Sequence, residues 1–224
     1  MAEAARVSPN VVERFTPTAR WVHWIHTGAF IELCLSGFLI FLPWFGPWMT
    51  GSVGTWIRII HRVGVVVFVA PPVIYAIFNP VKVWYFIEEA FVWGKDDFGW
   101  IKAAPSYYFG GDPRLMPPQG YINTGEKLFR LAMVFGVAAF VVTGFIMWFF
   151  KGTVAPPVYQ WCLLVHDVAF ILAVAFLFLH VQLAMLHPRM DEGILAMIDG
   201  KVSGHYAKSH HGKWYEQVAK EEKD

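Results

Sequence analysis

Five histidines, His23, His26, His61, His166 and His180, lie at the ends or inside long apolar stretches. An ionisable side chain in such a place marks a site of chemistry by default. A neutral imidazole offers one lone pair to a metal, and two imidazoles on opposite faces of a haem iron make a six-coordinate centre. Such a centre carries electrons and leaves no position for oxygen. His166 and His180 are 14 residues apart, about 1400° of helical rotation, so they share a face to within about 40° and lie roughly 21 Å apart along the axis. They therefore sit near opposite membrane surfaces. His61 starts another apolar stretch at the level of His166, and His23 starts the first at the level of His180. Two pairs at two depths result, His61 with His166 and His23 with His180, each able to ligate one haem b. His26, three residues on, is the alternative to His23. Gly37 follows His23 by 14 residues, which puts it on the same face at the level of the other pair, where a missing side chain makes room for a flat ligand.

Other polar groups are placed around these. Arg20, Arg58 and Arg62 lie about one turn from the histidines, positioned for haem propionates or for interfacial snorkelling. Glu32 is nine residues past His23, roughly 13 Å along the axis, and is expected to be protonated or hydrogen-bonded toward the bundle interior. His187 precedes Pro188 at the membrane edge, and His205, His210 and His211 fall in a polar tail where they read as surface residues. The two cysteines, Cys34 and Cys162, supply neither a CxxCH haem attachment nor an iron–sulfur ligand set.

The elements that hold these residues follow from composition. The 224 residues are 56% hydrophobic, 17% aromatic and 16% charged, with a net charge of +1, which excludes disorder and any electrostatic surplus for nucleic acid. Four stretches, at about 21–42, 55–78, 128–150 and 159–186, reach the length a helix needs to cross about 30 Å of hydrocarbon. The opening residues lack the apolar core of a cleavable leader, so the first span is expected to be retained. Trp21, Trp24, Trp44, Trp48, Trp148 and Trp161 cluster near span ends, where indole favours the headgroup interface. Basic residues, among them Arg6, Arg14 and Arg20 before the first span, Lys82 to Lys127 in the middle, and Arg189 to Lys223 after the fourth, place both termini and the middle connection in the cytoplasm. The expected architecture is an all-α, four-helix membrane domain over 1–224. It has a cytoplasmic loop at 81–127, ordered with one interfacial helix, and a partly helical cytoplasmic tail at 188–224. A faint echo links LSGFLIF at 35–41 with VTGFIMW at 142–148.

Several segments together resemble the cytochrome b (gamma) subunit of membrane-bound, quinone-linked formate dehydrogenases. They are ARWVHW with its following LSG, RIIH before span two, INTGEK before span three, LLVH and HVQLA in span four, and the tail MIDGKVSGHYAKSHHGKWY. The resemblance implies two haems b, with His61 and His166 on the outer iron and His23 and His180 on the inner one. It implies a quinone pocket at Asn123 and Gly125 near His180, with Glu126 beside them where the family usually has glutamine. Glu126 there would relay a proton or begin the helix favourably at its positive end. The implied partners are an outer-side iron–sulfur subunit and a catalytic formate dehydrogenase subunit, with the chain multi-pass in the inner membrane. No formate-oxidising motif is present. The nearest alternative is the cytochrome b of a membrane-bound hydrogenase or related reductase, and from another class a haem-free membrane anchor.

Overall fold

The computed structural model describes residues 10–221. Arg6 and Lys223 lie outside that range, as do the first nine of the opening residues considered above for a leader.

Among the described residues four helices are long and apolar enough to span a membrane: α1 (Pro17–Phe41), α2 (Gly51–Phe78), α5 (Thr124–Phe149) and α6 (Pro156–Val181), the last continued by a π-helical turn over Gln182–Leu186. Each starts three or four residues before the hydropathy boundary, because a first turn need not be apolar to be helical. In α1 the Ala19 N–H donates to Thr16 Oγ1 at 3.3 Å with Pro17 next in line, and α6 also opens on proline, whose missing N–H costs nothing there. Helix α2 carries Pro71 and Pro72 without interruption. Large apolar side chains such as Leu35, Ile77 and Phe178 point outward, as expected of a lipid-facing surface, and Trp21, Trp44, Trp48 and Trp161 are exposed near helix ends.

The middle connection holds two helices where one was expected, α3 (Pro80–Phe91) and α4 (Lys95–Tyr108). Its glycines and prolines mask them: Gly94 is the N-cap of α4, donating its N–H to Asp97 Oδ2 at 2.8 Å, and Pro105 lies inside the helix. The tail is ordered. It forms α7 (Asp191–Asp199), α8 (Gly204–His210) and α9 (Gly212–Glu221), and between the first two a strand, β2 (Lys201–Ser203). That strand pairs antiparallel with β1 (Val11–Glu13), Val12 opposite Val202, so the helical architecture gains a short ribbon. Val12, Ala196, Val202, Tyr206, Ala207, Trp214 and Tyr215 form one buried apolar cluster. Gly200 ends α7 at φ +92°, and its carbonyl accepts the N–H groups of Arg14 at 2.8 Å and Phe15 at 3.1 Å.

Internal contacts divide the chain into two compact units. One is the apolar unit of Trp21–Ile87 and Ala132–Leu179. The other joins the segment ending at Arg20, Glu88–Leu131, and the chain from His180 onward.

Candidate functional site

In the apolar unit His61 and His166 have the same local design. Ser36, on α1, lies 2.8 Å from His61 Nδ1, and its hydroxyl proton goes to the Glu32 carbonyl, one turn back, at 2.9 Å. Thr143, on α5, lies 2.8 Å from His166 Nδ1 and gives its proton to the Ala139 carbonyl at 2.6 Å. A hydroxyl has one proton to give. With that proton committed to the helix, each oxygen accepts from the imidazole, Nδ1 carries the hydrogen, and Nε2 keeps its lone pair. Glycine follows each hydroxyl: a Cβ at Gly37 would lie 3.6 Å from His61 Cε1, and one at Gly144 3.5 Å from His166 Cε1. Both glycines thus give the imidazole room at Cε1, and at Gly144 the Nδ1 atom is the next nearest, 4.0 Å from the Cβ position. Gly37 also faces Phe170, one turn beyond His166 on α6, at 3.9 Å from that Cβ position. Neutral imidazoles oriented through Nδ1 are what axial ligation of haem iron by Nε2 requires, so these residues fit the group.

His26 is stacked on Phe68 at 3.7 Å between centroids, while His23 meets Trp24 edge-on at 5.2 Å. His23 belongs to the apolar unit and His180 to the other. The Glu32 carboxyl packs against α2 at Gly64, with both oxygens buried and without a hydrogen-bond partner among the described residues. Of the three arginines considered for propionates, Arg20 donates to the Ile198 carbonyl, Arg58 donates to the Met49 carbonyl at 3.1 Å, and Arg62 lies over the Trp148 ring at 5.3 Å.

In the second unit the start of α5 is a reciprocal cap. The Glu126 N–H donates to Asn123 Oδ1 at 2.9 Å and the Asn123 N–H to Glu126 Oε2 at 2.8 Å. Glu126 Oε1 accepts from Arg14 at 2.9 Å, and the Arg14 guanidinium lies over Phe15, Tyr121 and Trp214. Of the two roles considered for Glu126, this geometry is that of the helix start. The Thr124 N–H goes to Gln119 Oε1 at 2.9 Å and the Lys127 N–H to the Asn123 carbonyl at 3.0 Å. Among the described residues, that leaves the Asn123 side-chain NH2 and the Gly125 N–H as the donors of this turn without a partner. Trp100 closes over Gly125, 3.0 Å from where a Cβ would be. Phe129, on the same helix and about 9 Å along the axis from Asn123, stacks on the His180 ring at 4.6 Å.

Beside this turn, Thr124 donates to Asp97 Oδ1 at 2.7 Å and Lys127 to Asp97 Oδ2 at 3.0 Å. Burial works to raise the Asp97 carboxyl, but the Gly94 N–H, Lys127 and Thr124 outweigh it and hold the group below its ordinary value.

Of the tail histidines, His205 is exposed as read, and His210 and His211 depart from the surface reading. His211 is 2% exposed, donates Nδ1–H to the Gly120 carbonyl at 2.9 Å, and is held by burial at a pKa of about 4. His210 lies 3.0 Å from the Tyr107 hydroxyl and stacks on Tyr206. His187 Nε2 lies 3.2 Å from the Tyr108 carbonyl and its Nδ1 accepts the Arg189 N–H at 3.2 Å, so both ring nitrogens are engaged. Sequence reasoning passed over Ser36 and Thr143, although both stand in the echoed segments directly before the glycine. The aromatic cradle of Arg14 had no local signal, since Tyr121 and Trp214 are distant in sequence.

Residues 14–200 match the sequence family described as prokaryotic cytochrome b561. Relatives include the formate dehydrogenase cytochrome b556(fdo) subunit of Escherichia coli (strain K12), 27% identical over 216 residues that cover 94% of this chain and 95% of that protein. The nitrate-inducible formate dehydrogenase cytochrome b556(Fdn) subunit of the same strain is 29% identical over 208 residues, 91% of this chain and 89% of that one. A formate dehydrogenase cytochrome b556 subunit of Haemophilus influenzae is 27% identical over 223 residues, 96% and 87% of the two chains. Four membrane-length helices and a family match over most of its length agree: this chain belongs to the prokaryotic cytochrome b561 family.

Proposed function

We propose that the chain is the dihaem cytochrome b subunit of a formate dehydrogenase complex, conducting electrons from an outer-side iron–sulfur subunit to a membrane quinone. His61 and His166 hold the outer haem b and His23 and His180 the inner one. Both termini lie on the cytoplasmic side of the inner membrane. Haem b supplies one-electron transfer between ferric and ferrous iron. The protein's own contribution is to present neutral imidazoles from separate helices, to exclude water between apolar helices, and to keep any other ligand from the iron. The observation that carries this reading is the matched geometry of His61 and His166, each with Nδ1 2.8 Å from a hydroxyl and with the glycine after that hydroxyl facing the ring at Cε1. The formate partner rests on what the relatives are named.

Asn123 and Gly125 are assigned to the quinone pocket, near the inner haem. A quinone carbonyl gains negative charge as it is reduced, and fixed N–H donors stabilise that charge. The Asn123 amide is oriented for this: Oδ1 is tied to the Glu126 N–H, which turns the NH2 group away from the cap. Glu126 forms part of the pocket wall by holding Asn123, with its own charge matched by Arg14. The chain contributes the quinone-reducing site, and formate oxidation belongs to a partner subunit.

The test is to purify the complex through a tag on this chain, identify the co-purifying subunits, and add formate anaerobically. The proposal expects a catalytic and an iron–sulfur subunit and formate-driven appearance of reduced haem b bands. Haem-free protein, or haem reduced by hydrogen but not formate, would refute it.

A further inference from the structure

We infer that Ser36 and Thr143 are positioning residues that fix the planes of the His61 and His166 rings and raise the electron density those rings give to iron. This rests on the assignment of His61 and His166 as axial ligands. Each hydroxyl is buried, at 6% exposure, and lies 2.8 Å from an Nδ1. Each is held by donation to its own helix, Ser36 to the Glu32 carbonyl and Thr143 to the Ala139 carbonyl, so it presents a fixed acceptor. Each stands on the spanning helix that precedes the one carrying its histidine, with glycine next, and the histidine follows 25 or 23 residues later. The faint sequence echo therefore has a physical content: a hydroxyl–glycine pair occurs twice, and each copy seats one imidazole.

An imidazole that donates Nδ1–H to a fixed oxygen becomes a stronger donor at Nε2, and the partner also fixes ring orientation and tautomer. A stronger donor favours ferric over ferrous iron, so the two hydroxyls lower the midpoint potential of the outer haem. A merely structural role, satisfying two buried polar groups, would change stability without moving a potential.

The experiment is a redox titration of the purified complex, followed optically and by low-temperature electron paramagnetic resonance, on the parent and on Ser36→Ala, Thr143→Ala and Thr143→Ser. Each alanine variant is expected to shift the reduction equilibrium of one haem about tenfold toward the ferrous form, about 59 mV upward for one electron. Its low-spin signal should shift with it, because the ring planes relax. The second haem should not move, and Thr143→Ser, which keeps the oxygen, should titrate as the parent. Where Thr143→Ala loses the outer haem, Ser36→Ala carries the test, with the same upward shift expected and an unshifted potential overturning the inference. Unshifted potentials with both haems present would overturn it, as would Thr143→Ser behaving like Thr143→Ala. A parent that titrates as a single haem would overturn the ligand assignment itself, a result seen before any variant is made.

Discussion

The His211 ring makes the unit that contains the tail sensitive to mild acid. An ordinary histidine titrates near 6.5, whereas burial, assisted by Arg14 and opposed by Glu126 and the Gly120 carbonyl, holds this one at about 4. Between those values the unfolded chain takes up a proton that the folded unit refuses. Stability is therefore fully present above pH 6.5 and falls as pH drops toward 4. At about 1.4 kcal/mol per pH unit, the loss by pH 4 is about 3 kcal/mol. Hydrogen exchange over residues 191–221 in detergent, at steps from pH 7.5 to 4.5 and corrected for intrinsic rates, reads this directly. His210, also lowered chiefly by burial, adds in the same direction, so the measure is the difference between parent and His211→Asn. The variant should be weaker at neutral pH, through imperfect replacement of the ring, and shallower in its pH dependence. Equal slopes in parent and variant would refute the reasoning.

Gly200→Ala should weaken the same unit by about 2 kcal/mol or more. The left-handed conformation costs a non-glycine residue roughly 1–2 kcal/mol, and the new Cβ would stand 2.6 Å from the Phe15 carbonyl oxygen; limited proteolysis of the tail reports it. Asn123→Leu should depress quinone reduction while both haems remain, at a helix-cap cost of about 1 kcal/mol. Glu126→Gln should keep quinone turnover within about twofold, because an amide oxygen can still accept the Asn123 N–H; steady-state assays distinguish the two. Glu32→Gln should remove a protonated-carboxyl band from the infrared difference spectrum, since an unpaired carboxylate packed at Gly64 inside the membrane is costly. An unchanged spectrum would count against a neutral Glu32.

The spanning helices were legible because about 20 apolar residues in a row admit few other readings. Their first turns were not, since Thr16, Pro17 and Asn123 act through caps that hydropathy averages away. One interfacial helix was expected between the second and third spans, and the division into α3 and α4 was hidden by the glycines and prolines that flank and enter them. The ordered tail could not be foreseen from its polarity, because its order depends on partners far away in sequence: Val12 against Val202, and Arg14 against Trp214. At the site, His166 stood out by its 14-residue spacing from His180 and His61 by its place at the start of a span, and the echo around Gly37 and Gly144 was visible. The hydroxyl before each glycine gained meaning only from the distances to Nδ1, since serine and threonine are unremarkable in a membrane helix. Glu126 stood out as a departure from the resembling family, and its bonds to Asn123 and Arg14 make it a cap with a matched charge.

Haem content per chain tests the central claim most directly, measured by pyridine haemochrome on the purified complex and on its His166→Ala and His180→Ala forms. Two haems b in the parent and one in each assembled variant, the outer lost in the first and the inner in the second, is the predicted result. Two haems retained in His166→Ala, or a parent with fewer than two, would contradict the account.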